Sequence, residues 1–268
     1  MVTATPSVVT ARHASGTEGV RELFGVRIAA ATLDDALRAV EAAIACRERL
    51  QIGVVNAAKI VNMQRDPLLR QDVLSSDVIY ADGMAVVWAS RLLGRPLPER
   101  VAGIDLMKGI LARGAARGWR VFCLGGTDEV LDKAVARMEA DYPGVSIVGR
   151  QHGYFGPADE EKVAARIAET RPDVLFVAMT SPKKENFLAR WSGLIAAPVC
   201  HGVGGSFDVL AGKVERAPEA WQRLGLEWLY RVKQEPRRLW RRYLVTNTLF
   251  CAMVVHDLLR RILRSKPA

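Results

Sequence analysis

The stretch VIYADGMAVVW, residues 78–88, places one carboxylate between an apolar run and a glycine. Aspartate is rarely buried without a partner, because removing its charge from water is costly unless the group is paired or hydrogen-bonded. Asp82 is therefore expected either to cap the helix that follows it or to lie at the lip of a cleft. In the second case it would act as a general base, with a pKa set by partial burial and by neighbouring cations.

Polar residues or glycines follow four other apolar runs in the same way. They are Asn56 after GVV, Gly125-Gly126 after VFCL, Thr180-Ser181 after LFVAM and Gly204-Gly205 after VCHGV. The carboxyl ends of parallel strands meet at one edge of a sheet, and ligands bind there. The coincidence therefore predicts one shared site.

The turn LGGTDE, residues 124–129, is similar to a phosphate-binding loop, because glycines let backbone N–H groups approach an anion. It lacks the third glycine of GxGxxG, and Asp128 and Glu129 would repel a pyrophosphate. These features argue against NAD binding and disfavour an oxidoreductase. They favour a nucleotide base or ribose beside Gly125 and Gly126.

The sequence predicts no cofactor and no dedicated divalent-metal site. No DxD pair stands at a strand end, no HExxH occurs, and no CxxC pair or Cys/His cluster of zinc spacing is present. We interpret the four cysteines as reduced packing residues of a cytosolic protein. If a diphosphate is bound, arginines must neutralise it in place of Mg²⁺.

The elements that must position these groups follow from the hydropathy pattern. Between residues 23 and 212, short apolar strands alternate with helices, which predicts an α/β domain with a doubly wound, mostly parallel, Rossmann-like sheet. A β-like stretch, FGVRIAA, begins it at Phe24, and Thr32 is a natural N-cap for the first helix. Residues 1–22 contain no secretory signal and are predicted to be a disordered leader.

Most of the formal charge of +9 lies in residues 213–268, which hold thirteen Lys or Arg against five Asp or Glu. This segment is predicted to form a basic helical C-terminal appendage. A segment with this excess of positive charge is expected to bind substrate phosphates, nucleic acid or an anionic membrane surface. The spacing of Arg231, Arg238 and Arg241 predicts one helical face if Pro236 starts or only kinks that helix.

The apolar stretch at residues 243–255 is shorter than the roughly 20 residues that a membrane-spanning helix needs. We favour an amphipathic segment on the bilayer, with the apolar side chains inserted and the arginines toward the headgroups. A helix packed in the protein core is an equally weighted alternative. The side chains expected to insert are Trp240, Tyr243, Leu249 and Phe250.

Eight motifs, in this order, resemble those of the WecG/TagA/CpsF family of bacterial glycosyltransferases (glycosyltransferase family 26). They are VNAAKIVN, ADGMAVVWASRLLG, ERVAGIDL, RVFCLGG, GYF, RPDVLFVAM, GVGGSFDVLAGKVERAP and GLEWLYRVKQEPRRLWRRYL, between Phe24 and Phe250. The resemblance implies an inverting, metal-independent enzyme that transfers a sugar from a UDP-sugar to a polyprenyl-diphosphate-linked acceptor. It also implies a peripheral protein on the cytoplasmic face of the membrane, acting in teichoic acid, common-antigen or exopolysaccharide synthesis.

Matched motif by motif, the resemblance implies that Asp82 is the general base. It also implies that Arg100 is a second catalytic residue and that Asn56 belongs to the same site. The appendage arginines would close over the site and engage the donor diphosphate or the membrane. The candidate substrate-binding residues are Asn56, Gly125, Gly126, Tyr154, Lys184, Arg216, Arg231, Arg238 and Arg241.

Two departures from the family pattern concern the donor. Val54 stands where a threonine is common, and Lys184 of TSPKKE stands where the family has glutamine. An ammonium only donates hydrogen bonds and carries a fixed charge, so recognition of the sugar or phosphate must differ. The donor sugar thus stays open between glucose and N-acetylmannosamine or its uronate.

The class of function and the oligomeric state also stay open. A non-enzymatic, nucleotide- or lipid-binding basic module is the alternative function, and it explains the basic appendage but not the row of polar strand ends. Nucleic acid is not expected as a partner, and the chain is either a monomer or a homo-oligomer.

Overall fold

Six parallel strands form the central sheet, in the order β4-β3-β8-β7-β5-β6, and a separate hairpin pairs β1 with β2. The structure, a computed structural model, describes residues 19–264. The strands are β1 (Val20–Leu23), β2 (Val26–Ala29), β3 (Leu50–Val55), β4 (Val78–Ala81), β5 (Arg120–Gly125), β6 (Ser146–Gln151), β7 (Val174–Ala178) and β8 (Val199–Gly202).

Twelve α-helices and one 3-10 helix (Pro157–Asp159) lie within the described residues. Their bounds are α1 (Leu33–Cys46), α2 (Ala57–Met63), α3 (Pro67–Leu74), α4 (Met84–Leu92), α5 (Gly103–Arg117), α6 (Asp128–Asp141), α7 (Glu160–Glu169), α8 (Lys183–Ile195), α9 (Ser206–Leu210), α10 (Glu219–Arg223), α11 (Glu227–Gln234) and α12 (Pro236–Arg264). The predicted α/β, Rossmann-like architecture is confirmed.

Both faces of the sheet are covered, which is why its strands are near-continuous apolar runs. Alternate residues of one strand enter different cores because successive side chains point to opposite faces. Val121 and Cys123 of β5 pack with α1, α5 and α6, whereas Phe122 and Leu124 pack with α7 and α8. The N-cap predicted at Thr32 is confirmed, because Thr32 caps α1 in a reciprocal capping box with Asp35.

The predicted stretch FGVRIAA contains strand β2, but this strand begins at Val26 and not at Phe24. Phe24 and Gly25 form the turn rather than the strand, and both have positive φ angles, of 54° and 71°. Two such residues are typical of a type I′ hairpin turn. The first strand of the hairpin begins at Val20, inside the stretch predicted as a leader, whereas residues 1–18 of that leader lie outside the described residues.

The appendage consists of α10, α11 and α12. Pro236 is the first residue of α12, because proline lacks the N–H that a helix interior requires. Arg231 therefore lies on α11, and the prediction that it shares one helix with Arg238 and Arg241 is wrong.

The middle of α12 packs on the α/β domain, which corrects the expected insertion of Leu249 and Phe250 into a bilayer. Phe250 is buried and meets the ring of Phe24 edge to face, with centroids 5.4 Å apart, and Leu249 is half-buried in the same core. Tyr243 lies against Trp228, whereas Trp240 stays exposed. None of the helices in the described part of the chain is long and apolar enough to cross a membrane.

The strand order places a crevice at the carboxyl edge of the sheet. The chain leaves β5 toward β6 on one side and leaves β7 toward β8 on the other. Ligands of doubly wound sheets bind at such a switch point, where neighbouring connections diverge. The Gly125-Gly126 turn and the Thr180-Ser181 turn flank this crevice.

Candidate active site

Asp82 lies directly after β4, and its surroundings distinguish the two roles considered for it. Gly83, not Asp82, is the N-cap of α4, and no described side chain caps that helix. The Asp82 carboxylate instead accepts a hydrogen bond of 2.9 Å from the N–H of Gly103, the first residue of α5. Asp82 thus faces the positive end of a helix distant in sequence, and a carboxylate is stabilised there.

Burial raises the pKa of Asp82 above its ordinary value, and the nearby Glu227 carboxylate acts in the same direction. The Gly103 N–H and the charges of Lys59 and Arg231 oppose this rise. A carboxylate with a raised pKa is a stronger base than an ordinary aspartate. The environment of Asp82 therefore suits proton abstraction.

Asn56 directly follows β3, lies next to this carboxylate and caps α2. Its Oδ1 accepts a hydrogen bond of 3.0 Å from the backbone N–H of Lys59. A Cβ added to Gly83 would lie 3.4 Å from the Asn56 Cβ, so the Asn56 side chain borders the turn that follows Asp82. The structure therefore brings these two predicted site residues together.

Lys184 belongs to a buried cluster of charges beside them. Glu185 accepts from Lys59 Nζ at 2.9 Å, and Lys184 Nζ lies 3.3 Å from the same oxygen. Burial lowers the pKa of Lys184 to about 8, with Lys59 acting in the same direction, while Glu185 and Asp82 oppose the shift. The two ammonium groups hold the pKa of Glu185 at about 2 in spite of its burial.

Sequence reasoning missed Lys59 and Glu185. Both lie within quoted motifs, Lys59 one turn after Asn56 and Glu185 next to Lys184, but 126 positions separate them. The cavity that they line holds about 20 Å³, which is room for one water molecule and not for a sugar. Any larger ligand must bind at the open edge of the sheet.

Arg100 and Arg216 form a second network that joins the domain to the appendage. Arg100 pairs with Glu227 of α11 at 2.8 Å and with Asp105 of α5 at 3.5 Å. Arg216 binds both oxygens of Asp105, each at 2.7 Å. Both arginines thus contact carboxylates here, and a diphosphate would have to compete with those carboxylates for them.

Gly125 and Gly126 are required by close packing of the backbone. Gly125 has φ of +123°, and a Cβ there would lie 2.3 Å from the Ala178 carbonyl oxygen. Gly126 donates its N–H to that carbonyl at 3.1 Å and accepts from the Gly153 N–H at 2.9 Å. The Gly126 N–H is therefore already paired and is not free to bind a phosphate.

Tyr154 follows β6 and lies beside the glycine turn, because Gly153 contacts Gly126. Its side chain is 74% exposed. Lys183 fixes the loop by donating to the carbonyls of Gly153 and Phe155, at 2.9 and 2.8 Å. The loop therefore presents an aromatic ring to solvent at the carboxyl edge.

The remaining predicted residues are spread over the appendage. Arg231, on α11, is near enough for its charge to act on Asp82. Arg238 pairs with Glu235 at the start of α12, and Arg241 is exposed on the same helix. Within residues 19–264, no group of three or more His, Cys, Asp or Glu side chains is placed to hold a metal ion.

Comparison with known sequences shows to which family a protein with this site belongs. The profile of the Glycosyl transferase WecG/TagA/CpsF family matches residues 21–264, almost the whole described chain. The chain belongs to this family. It is a glycosyltransferase, and the non-enzymatic alternative is set aside.

A curated relative from Bacillus spizizenii strain W23 is 38% identical over 193 residues, which is 72% of this chain and 74% of the relative. It is named N-acetylglucosaminyldiphosphoundecaprenol N-acetyl-beta-D-mannosaminyltransferase. The relative therefore acts on a sugar attached to a lipid diphosphate. Within the family, this chain is similar to an enzyme with a membrane-borne acceptor.

Proposed function

We propose that this glycosyltransferase moves a sugar from a UDP-sugar to a polyprenyl-diphosphate-linked acceptor, with Asp82 as the general base. The observation that carries the proposal is the Asp82 carboxylate itself, partly buried at the carboxyl edge of the sheet and hydrogen-bonded to the N-terminus of α5. The name of the bacillary relative supports the class of acceptor. The polymer under construction would be a surface polysaccharide, exopolysaccharide included.

The reaction is a single displacement. Asp82 takes the proton of an acceptor hydroxyl while that oxygen attacks the anomeric carbon of the donor. The new bond forms as the bond from the anomeric carbon to the UDP oxygen breaks, so the configuration inverts and UDP leaves with the electron pair. No metal is required, because arginines neutralise the departing diphosphate.

Arginines for that task come from both parts of the chain. Arg231 already acts on Asp82 electrostatically. Arg100 and Arg216 belong to the network with Asp105 and Glu227, and Glu227 lies on the same helix as Arg231. We propose that an entering diphosphate takes over some of the contacts that these two carboxylates make. Arg238 and Arg241 would add charge when the appendage closes over the donor.

The donor would lie along the carboxyl edge of the sheet. Four strand spacings, about 19 Å, separate β4 from β5, and a nucleotide-sugar is extended enough to follow this edge. The uracil and ribose would bind near Gly125, Gly126 and Tyr154, where an exposed ring can stack on a base. The sugar would then point toward Asn56, Lys184 and Asp82.

The membrane surface is the proposed location of the acceptor, on the cytoplasmic side. An exposed apolar stripe runs along α12 and includes Trp240, Leu244, Val255 and Leu259. Arginines lie near both ends of the helix, at positions 237–242 and 260–261. An apolar stripe flanked by cations suits a helix in the interfacial region of anionic lipid.

The test is turnover by the full-length protein. UDP-glucose, UDP-N-acetylmannosamine and its uronate would each be incubated with polyprenyl-diphosphate-linked N-acetylglucosamine in detergent containing EDTA. Mass spectrometry should show one added sugar on the lipid and an equal amount of UDP released, with neither product when acceptor is omitted. Failure of all three donors, together with no calorimetric binding of UDP, would overturn the proposal.

A further inference from the structure

A buried histidine lies beneath the proposed base. His201 is in β8, between β3 and β7, and its side chain is 0% exposed. Its ring is edge to face with Phe176, with centroids 6.3 Å apart. His201 takes no direct part in the proposed displacement.

One glycine connects His201 to Asp82. His201 Nε2 lies 3.0 Å from the Gly103 carbonyl oxygen, and the Gly103 N–H donates to Asp82 Oδ1 at 2.9 Å. A carbonyl oxygen only accepts hydrogen bonds, so the short contact requires a proton on Nε2. The neutral ring therefore donates to the residue that donates to the base.

Among the described residues, no capping side chain holds the start of α5 at Gly103. It is the first residue of α5, and its N-cap, Ala102, makes no side-chain capping hydrogen bond. The nearest side-chain neighbours of a Cβ at Gly103 would be the His201 ring at 3.7 Å and Val54 at 3.8 Å, both ordinary contacts. Of these two, only His201 offers a hydrogen bond.

We propose that His201 is a positioning residue, which donates Nε2–H to the Gly103 carbonyl and thereby keeps the Gly103 N–H directed at the Asp82 carboxylate. The proposal rests on the proposed role of Asp82 as general base. It adds a specific requirement, which is that proton abstraction depends on a hydrogen bond made on the buried side of α5.

The charge state of the ring agrees with this role. Burial lowers the pKa of His201 to about 4, and the charges of Lys184 and Lys59 act in the same direction, whereas hydrogen bonds to the backbone of Gly103 and Ile52 oppose the shift. The imidazole is therefore neutral at physiological pH. It acts as a fixed donor and not as an acid or base.

The test compares His201→Gln with His201→Met in the full-length protein, since the two side chains have similar length and only Gln can donate. With the donor and acceptor that give turnover, Met should lower kcat by roughly ten- to a hundredfold, as misplaced catalytic groups do, and leave the donor KM unchanged. Gln should restore most of the lost kcat. Equal kcat values for Gln and Met, with both proteins folded, would overturn the proposal.

Two NMR measurements separate this proposal from the proposed function, because neither needs turnover. The Gly103 amide resonance should titrate with Asp82 in wild type and in His201→Gln, and that response should be reduced in His201→Met. Asp82→Asn, which has no titrating carboxylate, is the control for the assignment.

The second measurement uses only the wild-type protein and holds even if neither variant folds. The ¹⁵N shifts of the His201 ring should show the tautomer with the proton on Nε2. A proton on Nδ1 alone would contradict the proposal, because Nε2 could not then donate to Gly103.

Discussion

The carboxyl edge of the sheet buries its charges, whereas the appendage exposes most of them. Lys184 and Glu185 are buried and form one cluster with the half-buried Lys59, and Asp82 is fixed by the backbone of α5. On α12, by contrast, Arg237, Arg238, Arg241 and Arg242 face solvent at the start of the helix. A fixed, desolvated group suits chemistry, and an exposed basic surface suits attraction of a large anionic partner.

The ion pair of Arg100 with Glu227 joins the two regions close to the base. Glu227 also raises the pKa of Asp82, and Arg231 of the same helix acts in the opposite sense. The appendage is therefore coupled electrostatically to the base. Substitutions in one region can therefore separate its contribution from that of the other.

The largest effect is expected from Asp82→Asn, which keeps an acceptor for the Gly103 N–H but removes the base. kcat should fall by about 10²- to 10⁴-fold, the usual contribution of general-base catalysis. Initial rates of UDP release measure this, and calorimetry should show UDP affinity near that of wild type. Retention of most activity would remove Asp82 from the mechanism.

The next effect concerns the membrane and not the chemistry. Leu244→Gln with Leu259→Gln should weaken binding to anionic vesicles by about a hundredfold, since burying each leucine is worth about 1.5 kcal/mol or more. Turnover with a short-chain, detergent-soluble acceptor should stay near wild type. Unchanged co-sedimentation with vesicles would show that this stripe does not contact lipid.

The pH dependence follows from the raised pKa of Asp82. The base works only when deprotonated, so kcat should fall about tenfold per pH unit below that pKa, with a midpoint above the ordinary aspartate value. Glu227→Gln removes one cause of the rise and should move the midpoint to lower pH. A midpoint at or below the ordinary aspartate value, or one that is unchanged in Glu227→Gln, would contradict the assignment of Asp82 as the base.

Arg231→Gln should lower kcat/KM for the donor about tenfold, because one hydrogen bond between charged groups is worth about 1.5 kcal/mol or more. Arg223→Gln is the matched control in the same appendage, since Arg223 is exposed and pairs with Glu219. Its donor kinetics should match wild type. Equal losses from both variants would indicate a general effect of charge.

The smallest effect is on stability. A carboxyl whose folded pKa is raised binds protons more tightly when folded, so its ionisation at neutral pH costs stability. Asp82→Asn should therefore raise the free energy of unfolding at pH 7, and the gain should shrink as pH falls through the pKa of Asp82. Urea unfolding at several pH values tests this, and a loss of stability at pH 7 would contradict it.

The sheet was predictable because its signal is local. Each buried strand is a short apolar run, and the residue that ends it is visible in the sequence, as Asn56 and Asp82 are. The hairpin was not predictable, because its turn needs a positive φ at Phe24, which is uncommon for a bulky residue.

The site was predicted in part because the ends of the strands are also visible in the local sequence. The strand ends located Asp82 and Asn56, but the contacts that tune them join residues far apart in sequence, such as Lys59 with Glu185 and His201 with Gly103. Phe250 shows a different limit. The hydropathy pattern of a basic helix is the same whether its apolar residues face lipid or the protein core. Phe250 packs against Phe24 and therefore faces the core.

The configuration of the product tests the central claim most directly. A UDP-sugar with an α-linked phosphate would be turned over by the wild-type enzyme, and the one-bond carbon–hydrogen coupling at the new anomeric centre measured by NMR. Direct attack assisted by Asp82 predicts a β linkage. An α linkage would require two displacements and a covalent or ion-pair intermediate, and would contradict Asp82 as the base of a single step.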